Sequence, residues 1–216
     1  NGPGTDIAEA RFRRLVEYDR MDRWSKLLLL LATLACAFTL YLYPLILSTP
    51  LLDPDEGIHA VIARDMVERG DYVVPRFCGK PFRDKPILYF AAQAFSLRTF
   101  GMNETAVRLP GFAFALLGSL TTVVLAWRMF DRETAAYAGL ASLTLVLPLM
   151  LSQAPAHDIA LVPWTSLLVL ACWEQERATA TSRRWLWVAA ASVCVALALL
   201  TKGLIGIAVI ACGLGL

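Results

Sequence analysis

Leu52-Asp53-Pro54-Asp55-Glu56-Gly57 follows closely on a predominantly apolar run, residues 27–47, and that junction decides how the rest of the chain is read. The run meets the ~20 residues needed to cross ~30 Å of hydrocarbon. Three carboxylates at the mouth of such a helix stand where lipid gives way to water. Charge is costly in lipid, so carboxylates persist there when they are paired, capping a helix or functional.

Working outward, the whole chain has the same character. It is 57% hydrophobic and only 18% charged, with a mean hydropathy of +0.57, which excludes an ordinary soluble domain. The net charge of +2 points to no particular partner, and a nucleic-acid partner is not expected. Charges gather in the N-terminal tail, in a loop over residues 48–108, and in short turns near residues 131 and 180. Six spans are expected between them: Leu27–Leu47, Leu109–Met129, Thr134–Leu151, Ile159–Trp173, Trp185–Leu200 and a last one from Leu204. That last span reaches Leu216 without a polar flank, so the sequence is expected to be the front part of a longer protein. Asn1-Gly2-Pro3-Gly4 reads as a leader or tag remnant and is set aside. The first span is too long and too weakly bounded by small residues for a cleaved signal, and reads as a permanent anchor. The expected fold is therefore an all-α, polytopic membrane bundle. Residues 1–26 form a cytoplasmic segment and residues 27–216 the membrane domain. Cys36, Cys78, Cys172, Cys194 and Cys212 have no ligand spacing and read as small packing residues.

Basic residues set the orientation. Arg11, Arg13, Arg14, Arg20, Arg23 and Lys26 precede the first span, Arg128 and Arg132 flank the turn after the second, and Arg177, Arg183 and Arg184 precede the fifth. A cytoplasmic N-terminus places all three groups inside, as the positive-inside rule requires. Asp53, Asp55, Glu56, Asp158 and Lys202 then share the external side.

The external loop is structured. Ile58, Val61, Ile62, Met66 and Val67 recur at helical spacing up to Gly70, which predicts an amphipathic helix with one oily face. Tyr72–Phe77 reads as extended and Cys78-Gly79-Lys80-Pro81 as a turn. A second helix is expected from Lys85-Pro86 to Phe100, stopped by Gly101; it is apolar almost all round and suited to lie against the bilayer or the bundle.

Asp55-Glu56 after the first span, Gly70-Asp-Tyr-Val-Val-Pro-Arg76, Gly79-Lys-Pro-Phe-Arg-Asp-Lys-Pro86, Phe100-Gly-x-Asn-Glu-x-Ala-x-Arg-Leu-Pro110 and Thr201-Lys-Gly203 occur in this order. Together, over residues 55–203, they resemble the bacterial aminoarabinose transferase branch of the protein O-mannosyltransferase-like membrane glycosyltransferases of GT-C type. The resemblance implies a polytopic inner-membrane enzyme whose active site faces the periplasm. It would take a sugar from a polyprenyl-phosphate donor and pass it to a lipid, glycan or protein acceptor. Membrane lipids are its other expected partners.

The resemblance assigns the catalytic carboxylate to Asp55, as general base or acceptor-orienting group, and brings Asp158 into the same cavity. Lys85 is implied for the carrier phosphate, and the residues agree: a lysine at a helix N-terminus opposes the dipole unless an anion sits there. Asp84, Glu56, His59, Lys202 and Arg76 complete the implied substrate-binding set. Simpler roles compete. Asp53, Pro54 and Glu56 form a variant capping box, Asp158 stands where an N-cap would, and Lys202 could cap carbonyls as a snorkelling lysine. His59 takes the place of a common tyrosine, either replacing its hydrogen bond or lying on the wet face of its helix; Ile58 stands where arginine is common and Asp84 where glutamate is usual. Trp164, Trp173, Trp185 and Trp187 read as interfacial belt residues.

Polyprenyl phosphate is a good leaving group, so the expected step is a single inverting displacement with charge stabilised at Lys85 and the acceptor placed by Asp55. Asp53 and Asp55 also offer oxygen ligands for a divalent cation, and no other cofactor is expected. The competing classes are a transporter or flippase of lipid-linked sugars, opposed by the lack of an internal repeat and of broken helices in matching positions, and a non-catalytic assembly subunit.

Overall fold

The structure is a computed structural model that describes residues 55–154 and 156–214, together with positions 31, 35, 39, 41, 42, 50 and 51. The chain divides into two units, Asn1–Phe38 and Thr39–Leu216, and every element below belongs to the second. The first span, residues 27–47, lies largely outside the described residues, as do Asp53, Pro54 and the side chain of Asp55.

Helix α1, Asp55–Arg69, ends at Gly70, whose φ of 68° is one a side chain would resist. Ile62, Ala63 and Met66 are its buried stripe. Arg64–Glu68 and Arg69–Asp65 pair along the outer face at 2.6 and 2.8 Å. Val61, expected on the oily face, is instead exposed, because it lies a quarter-turn off the stripe that Ile62 and Met66 define.

A minimal ribbon follows. Asp71 Oδ1 accepts from the backbone N–H groups of Val73 and Val74. These two bonds, then the nearby Arg76 and Arg69, hold its carboxyl below the ordinary range. Strand β1, Arg76–Phe77, pairs antiparallel with β2, Lys80–Pro81. Cys78 and Gly79 close the hairpin with positive φ at both central positions, 50° and 79°.

Helix α2, Ile87–Phe100, turns Tyr89, Phe90, Gln93, Ala94, Ser96 and Leu97 inward. Its Phe90, Ala94 and Leu97 join Ile62, Ala63 and Met66 of α1, with Ala106 and Val107 of α3, in one core. Phe95 and Phe100 point outward. Helices α1 and α2 thus pack on each other and on the start of α3.

Helix α3, Glu104–Met129, is capped by Asn103, whose side chain accepts from Ala106 N. At 26 residues it is the longest helix described. The third expected span is two helices, α4 (Arg132–Thr144) and α5 (Val146–Gln153), meeting at 52°. Leu145 between them is extended, with φ −62° and ψ 130°. The cause is legible: Pro148 has no N–H to offer the Thr144 carbonyl, and its ring would clash there. A 3-10 turn, His157–Ala160, leads into α6, Leu161–Arg177. Helix α7, Thr181–Lys202, and α8, Leu204–Leu214, complete the described chain.

Close helix contacts use small residues, as lipid-embedded packing favours: a Cβ on Gly118 would meet Val162, and one on Gly139 would meet Val123. Two described helices, α3 and α7, are long and apolar enough to cross a membrane, or three spans if the bent α4–α5 pair counts as one. Helix α6, with 17 residues, stands at the short end of the ~17–25 that a spanning helix uses.

Candidate functional site at the loop end of the bundle

Lys85 sits immediately before Pro86, the N-cap of α2. Its Nζ lies 3.5 Å from Nε2 of His59 on α1. A lysine ammonium only donates, so a hydrogen bond here needs His59 with Nε2 unprotonated. His59 is buried, with its ring edge-on to Phe90 at 5.2 Å and to His157 at 4.9 Å. The wet-face alternative for His59 therefore fails: the side chain faces α2 and the 3-10 turn, not solvent.

His157 is enclosed by His59, Tyr89 and Phe90, the last two at 4.8 Å. Among the described residues, neither of its ring nitrogens has a hydrogen-bond partner. Burial, then the neighbouring His59, Lys85 and Lys202, push its pKa down to about 3, so the imidazole is neutral. The same burial raises the phenol of Tyr89, whose hydroxyl is unpartnered as well.

The last turn of α7 closes the other wall. Lys202 Nζ donates to Asp158 Oδ1 in the 3-10 turn. Asp158 makes no helix cap, so the N-cap alternative yields to an ion pair across 44 residues of sequence. Thr201 is buried and its hydroxyl receives the indole N–H of Trp164 at 3.2 Å. Trp164, half-buried, also meets the Phe114 ring at 6.0 Å. Gly203 turns the chain with φ 64°, and Pro86 stands 3.7 Å from where its Cβ would be. The Thr201-Lys202-Gly203 and Lys85-Pro86 segments are thereby neighbours.

Glu56 lies in a buried ion pair: Arg108 Nη2 of α3 donates to its Oε2 at 2.9 Å and to the Pro50 carbonyl at 3.1 Å. This ties the start of α1 to the start of α3.

Of the expected site residues, Lys85, His59, Asp158 and Lys202 come together around His157, and Glu56 is held beside them by Arg108. Asp55 opens α1 one turn before His59, and its side chain lies outside the described residues. Asp84 is exposed in the bend ahead of α2, and Arg76, on β1, lies near Asp71 rather than this group. Sequence reasoning missed His157, Tyr89 and the Arg108 clamp. Arg108 stood in a quoted motif and His157 directly before Asp158, but neither position carries a spacing signal for its partner.

Two lysines gathered around two histidines at one end of a helical bundle make a site suited to an anion, and the fold that carries it is of GT-C type. The profile of the family described as dolichyl-phosphate-mannose-protein mannosyltransferase matches residues 84–214, and the chain belongs to that family. An undecaprenyl phosphate-alpha-4-amino-4-deoxy-L-arabinose arabinosyl transferase 2 of Proteus mirabilis is 31% identical over 190 residues, covering 87% of this chain and 34% of that protein. The corresponding transferase of Shewanella sediminis is 34% identical over 170 residues, covering 78% of this chain and 31% of that protein. Crystal structures of ArnT from Cupriavidus metallidurans superpose with TM-scores of 0.74 in the apo state and 0.75 bound to undecaprenyl phosphate. Each is 28% identical and covers 82% of this chain and 33% of that one. The chain spans about a third of the length of the curated relatives it matches.

Proposed function

We propose that this chain forms the donor-binding end of a membrane glycosyltransferase that moves a sugar from polyprenyl phosphate to an envelope acceptor. The observation that carries the reading is the meeting of Lys85 with the Lys202–Asp158 pair around His157. Two similar proteins add support: one named as an undecaprenyl phosphate-linked arabinosyl transferase, the other crystallised with undecaprenyl phosphate. In this mechanism Lys85 takes the bridging phosphate and stabilises the charge that grows as the anomeric bond breaks. Asp55, at the start of α1, accepts the proton of an acceptor hydroxyl or orients an acceptor that is already anionic. Attack from the face opposite the phosphate inverts the anomeric centre. The acceptor is a lipid, glycan or protein. The site opens to the outside of the inner membrane, with the N-terminus cytoplasmic.

Membranes carrying the protein, given a polyprenyl-phosphate sugar, should yield a glycosylated lipid or protein. Asp55→Asn should abolish that product while donor binding persists; near-normal turnover would refute the base assignment. A carrier or flippase would move the lipid-linked sugar across the bilayer and yield no glycosylated product. EDTA treatment in parallel tests the divalent cation suggested by Asp53 and Asp55.

A further inference from the structure

The two lysines of the site are held in opposite ways. Lys202 gives its charge to a carboxylate, Asp158. Lys85 faces an imidazole nitrogen, His59 Nε2, at 3.5 Å. An acid beside Lys85 would quench its charge and compete with a phosphate for its N–H groups. A neutral imidazole uses one N–H for placement and leaves two, with the full positive charge, for an anion.

His59 is itself immobilised. It is 4% exposed, with Phe90 and His157 against its ring at 5.2 and 4.9 Å. His157 is 1% exposed and packed between Tyr89, Phe90 and His59. Its ring packs against all three neighbours and so fills the space behind His59. An aromatic wall thus backs the imidazole that, among the described residues, faces Lys85. Among the described residues, the charged groups near this wall are Lys85, Lys202 and Asp158, with Glu56 on the same helix engaged by Arg108.

We infer that His59 is the positioning residue that presents the Lys85 ammonium to the donor phosphate, with His157 as the wedge that holds His59 in place. The inference rests on the phosphate role proposed for Lys85. Dissociation constants for undecaprenyl phosphate, measured in nanodiscs at pH 8 with thermal stability alongside, test it. His59→Phe keeps an aromatic ring and removes the acceptor; it should weaken binding about tenfold, as loss of a hydrogen bond to a charged group does. His59→Gln restores an acceptor and should recover most of that loss. In a Lys85→Ala background, His59→Phe should add nothing.

Normal binding by His59→Phe, beside weakened binding by Lys85→Ala, overturns the inference and leaves the phosphate reading standing. An equal further loss in the Lys85→Ala background also overturns it, because the histidine would then act through the fold and not through the lysine. If Lys85→Ala alone binds normally, the phosphate reading falls and this inference falls with it. Should His59→Phe be too unstable to assay, His59→Met against His59→Gln makes the same comparison with and without a strong acceptor.

Discussion

Arg108 and Arg128 stand near opposite ends of one helix, α3, and each pairs with a glutamate. Arg108 meets Glu56 at 2.9 Å with the two side chains 6% and 11% exposed. Arg128 meets Glu174 at 2.7 Å, but its side chain is 53% exposed and that of Glu174 17%. Near the loop end, the Arg108–Glu56 pair and the rings of His59 and His157 are drawn into the protein, although Asp158 of the Lys202 pair stays half exposed. At the far end they lie on the surface or over aromatic rings, Arg132 above Trp127 and Arg177 above Trp173 at 5.8 and 4.9 Å. Similar distances conceal different energetics. A buried pair has left water, so removing one partner strands the other, whereas an exposed pair is largely solvated already.

Breaking the buried pair is the severest test. Arg108→Ala leaves Glu56 uncompensated and should cost about 3–5 kcal/mol in thermal or denaturant unfolding. A loss below about 1 kcal/mol would mean that water reaches Glu56 and would erase the contrast with Arg128.

Acid provides the second. The imidazole of His157 titrates at about 3 when folded, against the ordinary 6.5. Between those values the unfolded chain binds a proton that the folded one refuses, so stability falls as pH drops below 6.5 and keeps falling toward 3. The loss should be on the order of a few kcal/mol. His157→Phe should flatten this acid limb in unfolding measurements from pH 7.5 to 4.5; an unchanged limb would show that His157 is protonated in the folded protein.

Smaller effects sharpen the comparison. Asn103→Ala removes the cap at the loop end of α3 and should cost about 1 kcal/mol. Arg128→Ala should cost no more than about 1 kcal/mol, with a loss that shrinks as salt rises. If Arg128→Ala proves as damaging as Arg108→Ala, the two ends are not distinct.

Much of this was legible in the residues because local chemistry writes it there. Gly70 and Gly101 end α1 and α2 where expected, since positive φ is cheap only for glycine. The long apolar runs announced α3 and α7 because period and length are properties of a single segment. Pro148 also carried the break between α4 and α5, a signal the hydropathy of Thr134–Leu151 hid. Lys85 and His59 drew attention, yet their contact did not, because 26 residues and two helices separate them. The motif around Arg108 named the arginine and was silent about Glu56. His157 had no signal at all, since a turn histidine and a buried wedge look alike in one dimension.

The sequence by itself determined that this is a helical membrane chain, where most of its helices start and stop, and which motifs place it in its family. Only the tertiary structure decided which charges meet: Lys202 with Asp158, Lys85 with His59, Arg108 with Glu56. Helix boundaries follow from hydrogen bonds and hydropathy within a few residues, whereas the pairing of charges depends on which segments burial brings together and on the desolvation that leaves each charge in need of a partner.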